Sequence, residues 1–134
     1  MTPAPTSPPS PTPGAAAAAR CAWLTTLRAD GSPHVTPVWF VLDGDTFWLA
    51  TSTVTAKCRH LAREPRVALA VDGTGAAPAV AEGTATVHRD VHEHPGILAR
   101  LAEKYDGWDA ADERQDGPRV LVEVRVERWL LGSA

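Results

Sequence analysis

The stretch LTTLRADGSPHVTPVWFVLDGDTFWLAT, residues 24–51, decides the fold. Apolar residues and threonines run as far as Arg28, and Ala29-Asp30-Gly31-Ser32 then supplies the residue types of a tight turn. Residues 34–42 read as a second strand, and Asp43-Gly44-Asp45 turns the chain into a third over residues 46–51. The three form an antiparallel meander. Side chains alternate across a strand, so Val35, Pro37, Trp39 and Val41 share one face and Val38, Phe40 and Leu42 the other. A strand apolar on both faces needs cover on both, as a barrel wall against a second subunit has.

Outward from this stretch, the first strand begins at Cys21, and residues 55–64 read as a short helix stopped by Pro65. Residues 66–71 make a fourth strand, which Asp72-Gly73-Thr74-Gly75 breaks, and residues 79–88 a fifth. Residues 92–105 look helical, with Ile97, Leu98, Leu101 and Tyr105 near one stripe. Residues 106–118 are polar and read as loop. Val120, Val122, Val124 and Val126 alternate with charged residues in the clearest strand of all. The expectation is an all-β fold, a six-stranded antiparallel β-barrel with added helices. Residues 1–14 are nearly all Pro, Thr, Ser and Ala and cannot build a core, and Ala15 to Ala19 adds at most a helical turn. A flexible tail over 1–19 and one domain over 20–134 follow.

The 134 residues suit one domain, and a hydrophobic fraction of 44% suits a globular one. A net charge of −3 without a basic stripe speaks against nucleic acid as a partner. No run approaches the roughly 18 apolar residues of a membrane span. The start of the chain lacks the charged and apolar segments of a signal peptide. Cys21 and Cys58 lie far apart, which fits a reducing cytoplasm rather than a disulfide framework.

Chemistry is most legible in Trp48-Leu49-Ala50-Thr51-Ser52-Thr53-Val54-Thr55-Ala56-Lys57. Hydroxyls crowd a strand end just before a helix, and a lysine stands in its first turn. Free N–H groups at a helix start attract anions, so a phosphate fits. The same residues also read as a Thr53 or Thr55 cap with Lys57 in solvent, and both readings stay open. Trp23, Trp48 and Trp129 read as core or dimer contacts, and for Trp108, in a polar segment, a lid over substrate is one of two open readings. His92-Glu93-His94 with nearby His88 does not assemble a metal set, because histidines two apart share a face only on a strand. Cys58 reads as an ordinary helix residue, and no nucleophilic triad is visible.

Residues 24–51, with TAKCRHLAREPRVALAVDG at 55–73 and AVAEGTATV at 79–87, resemble the pyridoxamine-phosphate-oxidase-like, FMN-binding split-barrel superfamily. The resemblance is strongest to its flavin/deazaflavin oxidoreductase branch, many members of which use coenzyme F420. It implies a homodimeric split β-barrel with two cofactors in clefts between subunits. It places Thr36, Pro37, Val38 and Trp39 beside the cofactor ring and ribityl chain, and Thr51 and Ser52 on the phosphate side. Trp39 reads as core packing or ring contact alike. Thr55, Ala56 and Lys57 match the family's Ser/Thr-x-Lys phosphate grip. Three departures are His60, where many relatives carry Asn, the Pro- and Ala-rich tail in place of the family's first helix, and the lack of an aromatic before AVAEG, where Pro78 stands nearby.

The implied activity is hydride transfer from reduced F420 to a small organic acceptor. FMN is the alternative cofactor, and a non-catalytic flavin-binding module the alternative role. In such chemistry the cofactor supplies the reactivity, which accounts for the lack of a conspicuous acid/base pair. His34 and Tyr105 are the candidate proton donors. F420 carries an oligoglutamate tail beyond its phosphate. Lys57, Arg59, Arg63 and Arg66, with Arg20 and Arg28, supply the basic residues such a tail needs, and the same arginines also read as a solvated helix face.

Overall fold

The computed structural model describes residues 15–71 and 78–134, so the tail at 1–14 and the turn expected at 72–75 lie outside the described residues. The elements are α1 (Ala15–Ala18), β1 (Ala22–Leu27), β2 (Pro33–Val38), β3 (Phe40–Asp43), β4 (Thr46–Ser52), α2 (Ala56–Arg63), β5 (Arg66–Val71), β6 (Ala79–His88), α3 (Pro95–Lys104) and β7 (Arg119–Leu131). A 3-10 turn at Val91–Glu93 precedes α3, so the expected helix over 92–105 is two pieces, separated where Pro95 opens the second.

Among the described residues there are seven strands rather than six, because the expected second strand divides at Trp39. β2 pairs with β1, from Ala22 opposite Val38 to Leu27 opposite Pro33. β3 turns instead onto β4, from Phe40 opposite Leu49 to Asp43 opposite Thr46. The antiparallel sheet runs β2-β1-β5-β6-β7-β4-β3, which puts β2 and β3 at opposite edges although one residue joins them. The sheet has to curl for that link to exist, and the curl makes the half-barrel.

The inner face of the curl is the main core. Phe40, Phe47, Leu24, Leu49, Leu69, Val71, Val120, Val122 and Val124 are almost fully buried there, each contributing about 1.5–3 kcal/mol of apolar burial. Ala16 and Ala19 belong to the same cluster, and Ala15 is buried too. The alanine run is therefore packed against the barrel from α1 onward, where the tail had been expected to reach residue 19. On the outer face Val41, Trp48 and Leu121 pack under Val91, Leu101 and Tyr105 in a second cluster. Trp48 is thus a core residue, and Trp129 packs against the main core, its indole N–H donating to Asp45.

Two local features explain sequence choices. Gly31 has φ 85°, the left-handed region that the β1–β2 turn requires. Gly83 lies at a register shift between β6 and β7, where any Cβ would overlap the Arg125 carbonyl. The open edge of β3 is also closed. Lys104 Nζ donates to Phe40 O at 2.9 Å and Arg100 Nη2 to Leu42 O at 2.9 Å. The Tyr105 hydroxyl accepts from Phe40 N at 2.9 Å. One helix face thereby protects an edge that would otherwise template aggregation.

Candidate functional site

The division at Trp39 opens a seam. Continued past Trp39, the β3–β4 register would set Val38 opposite Thr51 and Pro37 opposite Ser52, but β2 leaves to pair with β1. Ala50 to Ser52 pair only with β7. The facing edges of β2 and β4 are left without sheet partners. Thr36 to Trp39 and Thr51 to Ser52, expected from sequence to line one site, border this seam.

Three buried polar atoms have no partner among the described residues: Thr36 Oγ1, Ser52 Oγ and His34 Nδ1. Burying a hydroxyl without a hydrogen bond costs about 1–3 kcal/mol, so such atoms are rare without a purpose. Two of them are residues assigned to the cofactor, and the third is two residues along β2 from Thr36. The Val38 side chain points into the core, so it can offer a ligand only its backbone, and Pro37 is exposed on the other face.

α2 begins directly beyond Ser52. Thr55 is its N-cap, with φ −76° and ψ 153°, and its hydroxyl accepts from Cys58 N at 3.4 Å. The same hydroxyl donates to Ser52 O at 2.9 Å and lies 3.1 Å from Thr51 Oγ1, which leaves Thr51 as the donor of that pair. The capping reading of Thr55 is therefore realised. Ala56 opens the helix, its small side chain leaving the helix start uncovered. Arg59 lies on the exposed face and donates to Val54 O at 3.0 Å. Cys58 is buried in the core.

Lys57 is half-buried and has no hydrogen-bond or ion-pair partner among the described residues. Burial lowers its pKa, the charge of Arg119 lowers it further, and Asp116 partly offsets both. Arg119 was not singled out from sequence. It pairs across the sheet with Ser52, donates to Ala110 O at 3.0 Å, and has an ion pair with Asp116 at 3.6 Å on a side chain only 10% exposed. A half-buried ammonium near a buried guanidinium, beside unpaired hydroxyls and a helix start, is a seat for an anion.

At the other end of the seam Trp39 is 46% exposed. Its ring stacks on Tyr105 at 4.5 Å and meets Trp108 edge-on at 5.0 Å. Trp108, from the polar segment, thus lies against the residue assigned to the cofactor ring. The Tyr105 hydroxyl is held between the Phe40 backbone and Arg20 O, and burial pushes its pKa up. It serves as an anchor. His34 keeps a free ring nitrogen, with its ring edge-on to His60 at 4.9 Å. His60 Nδ1 lies 2.9 Å from Thr26 Oγ1, and its pKa is lowered first by burial, then by His34, Arg63, Arg28 and Arg59.

The basic residues divide. Arg28, Arg59 and Arg63 lie around His60 at the α2 end of the barrel. Arg66 is paired with Glu64 at 2.6 Å. Arg20, beyond the opposite end of β1, pairs with Asp106 at 3.8 Å and does not join them. His88 and His94 come within 4.6 Å between ring centroids, with Glu123 on His88 at 2.9 Å, yet among the described residues no three side chains form a metal-ligand set.

Residues 15–131 match the pyridoxamine 5'-phosphate oxidase family. The chain belongs to that family. It is 37% identical over 115 residues to an F420H2-dependent biliverdin reductase of Mycobacterium tuberculosis, covering 84% of this chain and 79% of that protein. A solved F420 reductase superposes with a TM-score of 0.69 at 24% identity, over 87% of this chain and 94% of the other. A conserved hypothetical protein, Rv2991 of Mycobacterium tuberculosis, gives 0.68 at 27% identity, over 83% and 75%. The curled antiparallel sheet is in keeping with that family.

Proposed function

We propose that this chain is an F420H2-dependent reductase that passes a hydride to a small conjugated acceptor and works as a homodimer. One observation carries the reading: the unpaired Thr36 and Ser52 hydroxyls and Lys57, which has no hydrogen-bond or ion-pair partner among the described residues, border a single seam. The likeness to an F420H2-dependent biliverdin reductase favours the deazaflavin over FMN and makes a tetrapyrrole a candidate acceptor.

When bound, reduced F420 supplies the hydride. Lys57, Arg119 and the N–H groups at the start of α2 hold the phosphate, with Thr51 and Ser52 beside it. Arg28, Arg59 and Arg63 draw the carboxylate tail. Thr36 and the open backbone edge of β2 fix the ring, and Trp39 and Trp108 keep water from it. His34, two residues along β2 from Thr36, is the candidate proton donor, with a ring nitrogen unpaired among the described residues.

The dimer reading rests on a bare apolar face. Trp23 and Val35 are 51% and 54% exposed and belong, with Pro37, to the outer face of neighbouring strands β1 and β2. Ala70 and Val80 extend that row across β5 and β6. A second copy placed there covers the row and walls the seam.

Titrating cofactor-free protein with F420 and with FMN, at low and high salt, tests the reading. F420 binds more tightly, and its advantage shrinks as salt screens the tail. Lys57→Ala lowers F420 affinity roughly ten- to a hundredfold, from the loss of a contact worth about 1.5–3 kcal/mol, without altering the fold. Tighter FMN binding, or a variant that binds F420 as well as the parent, overturns it. Oxidation of F420H2 on adding biliverdin, followed by absorbance without oxygen, tests the acceptor.

A further inference from the structure

A cavity of about 530 Å³ lies between α1, the edge of β3 and α3, lined by Ala17, Val41, Leu42, Arg20, Arg100, Lys104 and Glu103. Its size suits a small-molecule site. Three cations face one carboxylate there, in a protein whose net charge is −3. Lys104 Nζ is held by Ala17 O at 3.0 Å and Phe40 O at 2.9 Å, partners that orient the ammonium without neutralising it. The carboxylates on Arg20 (Asp106, 3.8 Å) and Arg100 (Asp43, 3.7 Å) are exposed, screened and easily exchanged.

This cluster adjoins the proposed ring site through one side chain. Lys104 Nζ and Arg20 Cζ lie 5.3 and 4.9 Å from the centre of the Tyr105 ring, on which Trp39 stacks at 4.5 Å. Protecting the β3 edge requires donors at Phe40 and Leu42, which neutral amides could supply. It does not require three positive charges in one cleft.

We propose that this cavity is the carboxylate subsite of the acceptor: Arg20, Arg100 and Lys104 seat the anionic arms of a conjugated substrate whose reducible system reaches toward Trp39. The subsite rests on the reductase reading for its role, but its binding chemistry is separately measurable. Burial, with Arg20 and Arg100 alongside, pushes the Lys104 pKa down to about 8. Arg20, Arg100, Glu103 and Tyr105 face the ammonium, with Asp43 and Asp106 at the rim. An incoming carboxylate restores its charge, so anion affinity falls as pH rises past 8.

The test titrates the full chain with biliverdin and with biliverdin dimethyl ester, read by tryptophan quenching. The free acid binds about tenfold more tightly than the ester. Lys104→Gln and Arg100→Gln, which keep N–H donors for the β3 carbonyls, each erase most of that preference and leave the ester unchanged. Glu103→Gln strengthens the acid, a direction that no purely structural role gives. Arg20→Gln, on an exposed side chain, covers the case in which Lys104→Gln does not fold. Equal binding of acid and ester, no binding of either, or glutamine variants with the parent's preference overturns the subsite. F420 affinity in the same samples reports on the reductase reading alone: its loss with the acid preference intact defeats that reading and leaves the subsite standing.

Discussion

The two outer faces of the curled sheet follow the same alternation and meet different fates. On the β3–β4–β7 side, Val41, Trp48 and Leu121 are covered by α3, and Leu101 between them is fully buried. On the β2–β1 side, Trp23 and Val35 remain more than half exposed. The first face is satisfied by a helix of its own chain, and the second offers apolar surface that no element among the described residues covers. Stability and assembly are therefore separable, because a change on one face leaves the other intact.

The largest effect is expected on the covered face. Leu101→Ala leaves a cavity beneath Trp48 and Tyr105 and costs about 2–5 kcal/mol, a large part of a small domain's total stability. Denaturant unfolding measures it. A loss below about 1 kcal/mol would show that α3 packs loosely. Next comes the bare face. Trp23→Arg puts a charge where a second copy would lie, so light scattering detects monomer while the melting temperature of the folded unit barely moves. A parent protein that is itself monomeric removes the dimer from the proposal.

Each face was legible in sequence to a different degree. The alternation of residues 120–127 and the Asp-Gly turns marked strands directly, because period and turn chemistry are local. The division at Trp39 was not legible, since residues 33–43 contain an apolar run with no turn signal between Val38 and Phe40, and only long-range pairing divides it. The same cause hid Arg119. At the end of a polar segment it reads as a solvated residue, and its importance comes from lying opposite Ser52. Lys104 was not singled out from sequence, because its contacts with Ala17 O of α1 and Phe40 O of β3 are long-range. Thr36 to Trp39 were legible as site residues only through their resemblance to a family, whereas the hydroxyls of Thr51 and Ser52 read as an anion seat from their place before a helix. Composition left Thr55 free to be either a cap or a phosphate ligand.

The seam runs between the two faces, and a smaller effect separates its role from theirs. Thr36→Val and Ser52→Ala each remove a buried hydroxyl that has no partner among the described residues. Each variant is as stable as the parent or about 1 kcal/mol more stable, while F420 affinity falls roughly fivefold. Opposite signs in melting temperature and affinity mark a group kept for a ligand. A loss of stability in both variants would return these hydroxyls to the fold.

The smallest effect is the pH dependence that the covered face imposes on itself. Burial and the charges of Arg20 and Arg100 hold Lys104 at about 8, against 10.5 for a free lysine. Between those values the folded chain holds Lys104 less protonated than the unfolded chain does, so unfolding takes up a proton and stability rises with pH across the window. Lys57, also lowered, acts in the same direction below 10.5. Tyr105 opposes both at the upper end. Its pKa is raised above the ordinary 10 by burial, so the unfolded chain ionises first and stability falls as pH passes 10. Melting temperature should therefore climb from pH 8 and level off near pH 10. Lys104→Gln flattens most of that climb, and Lys57→Gln a lesser part. A parent whose stability falls steadily from pH 8 would mean that the Lys104 ammonium is satisfied inside the fold, and that the covered face carries no unspent charge for a substrate to meet.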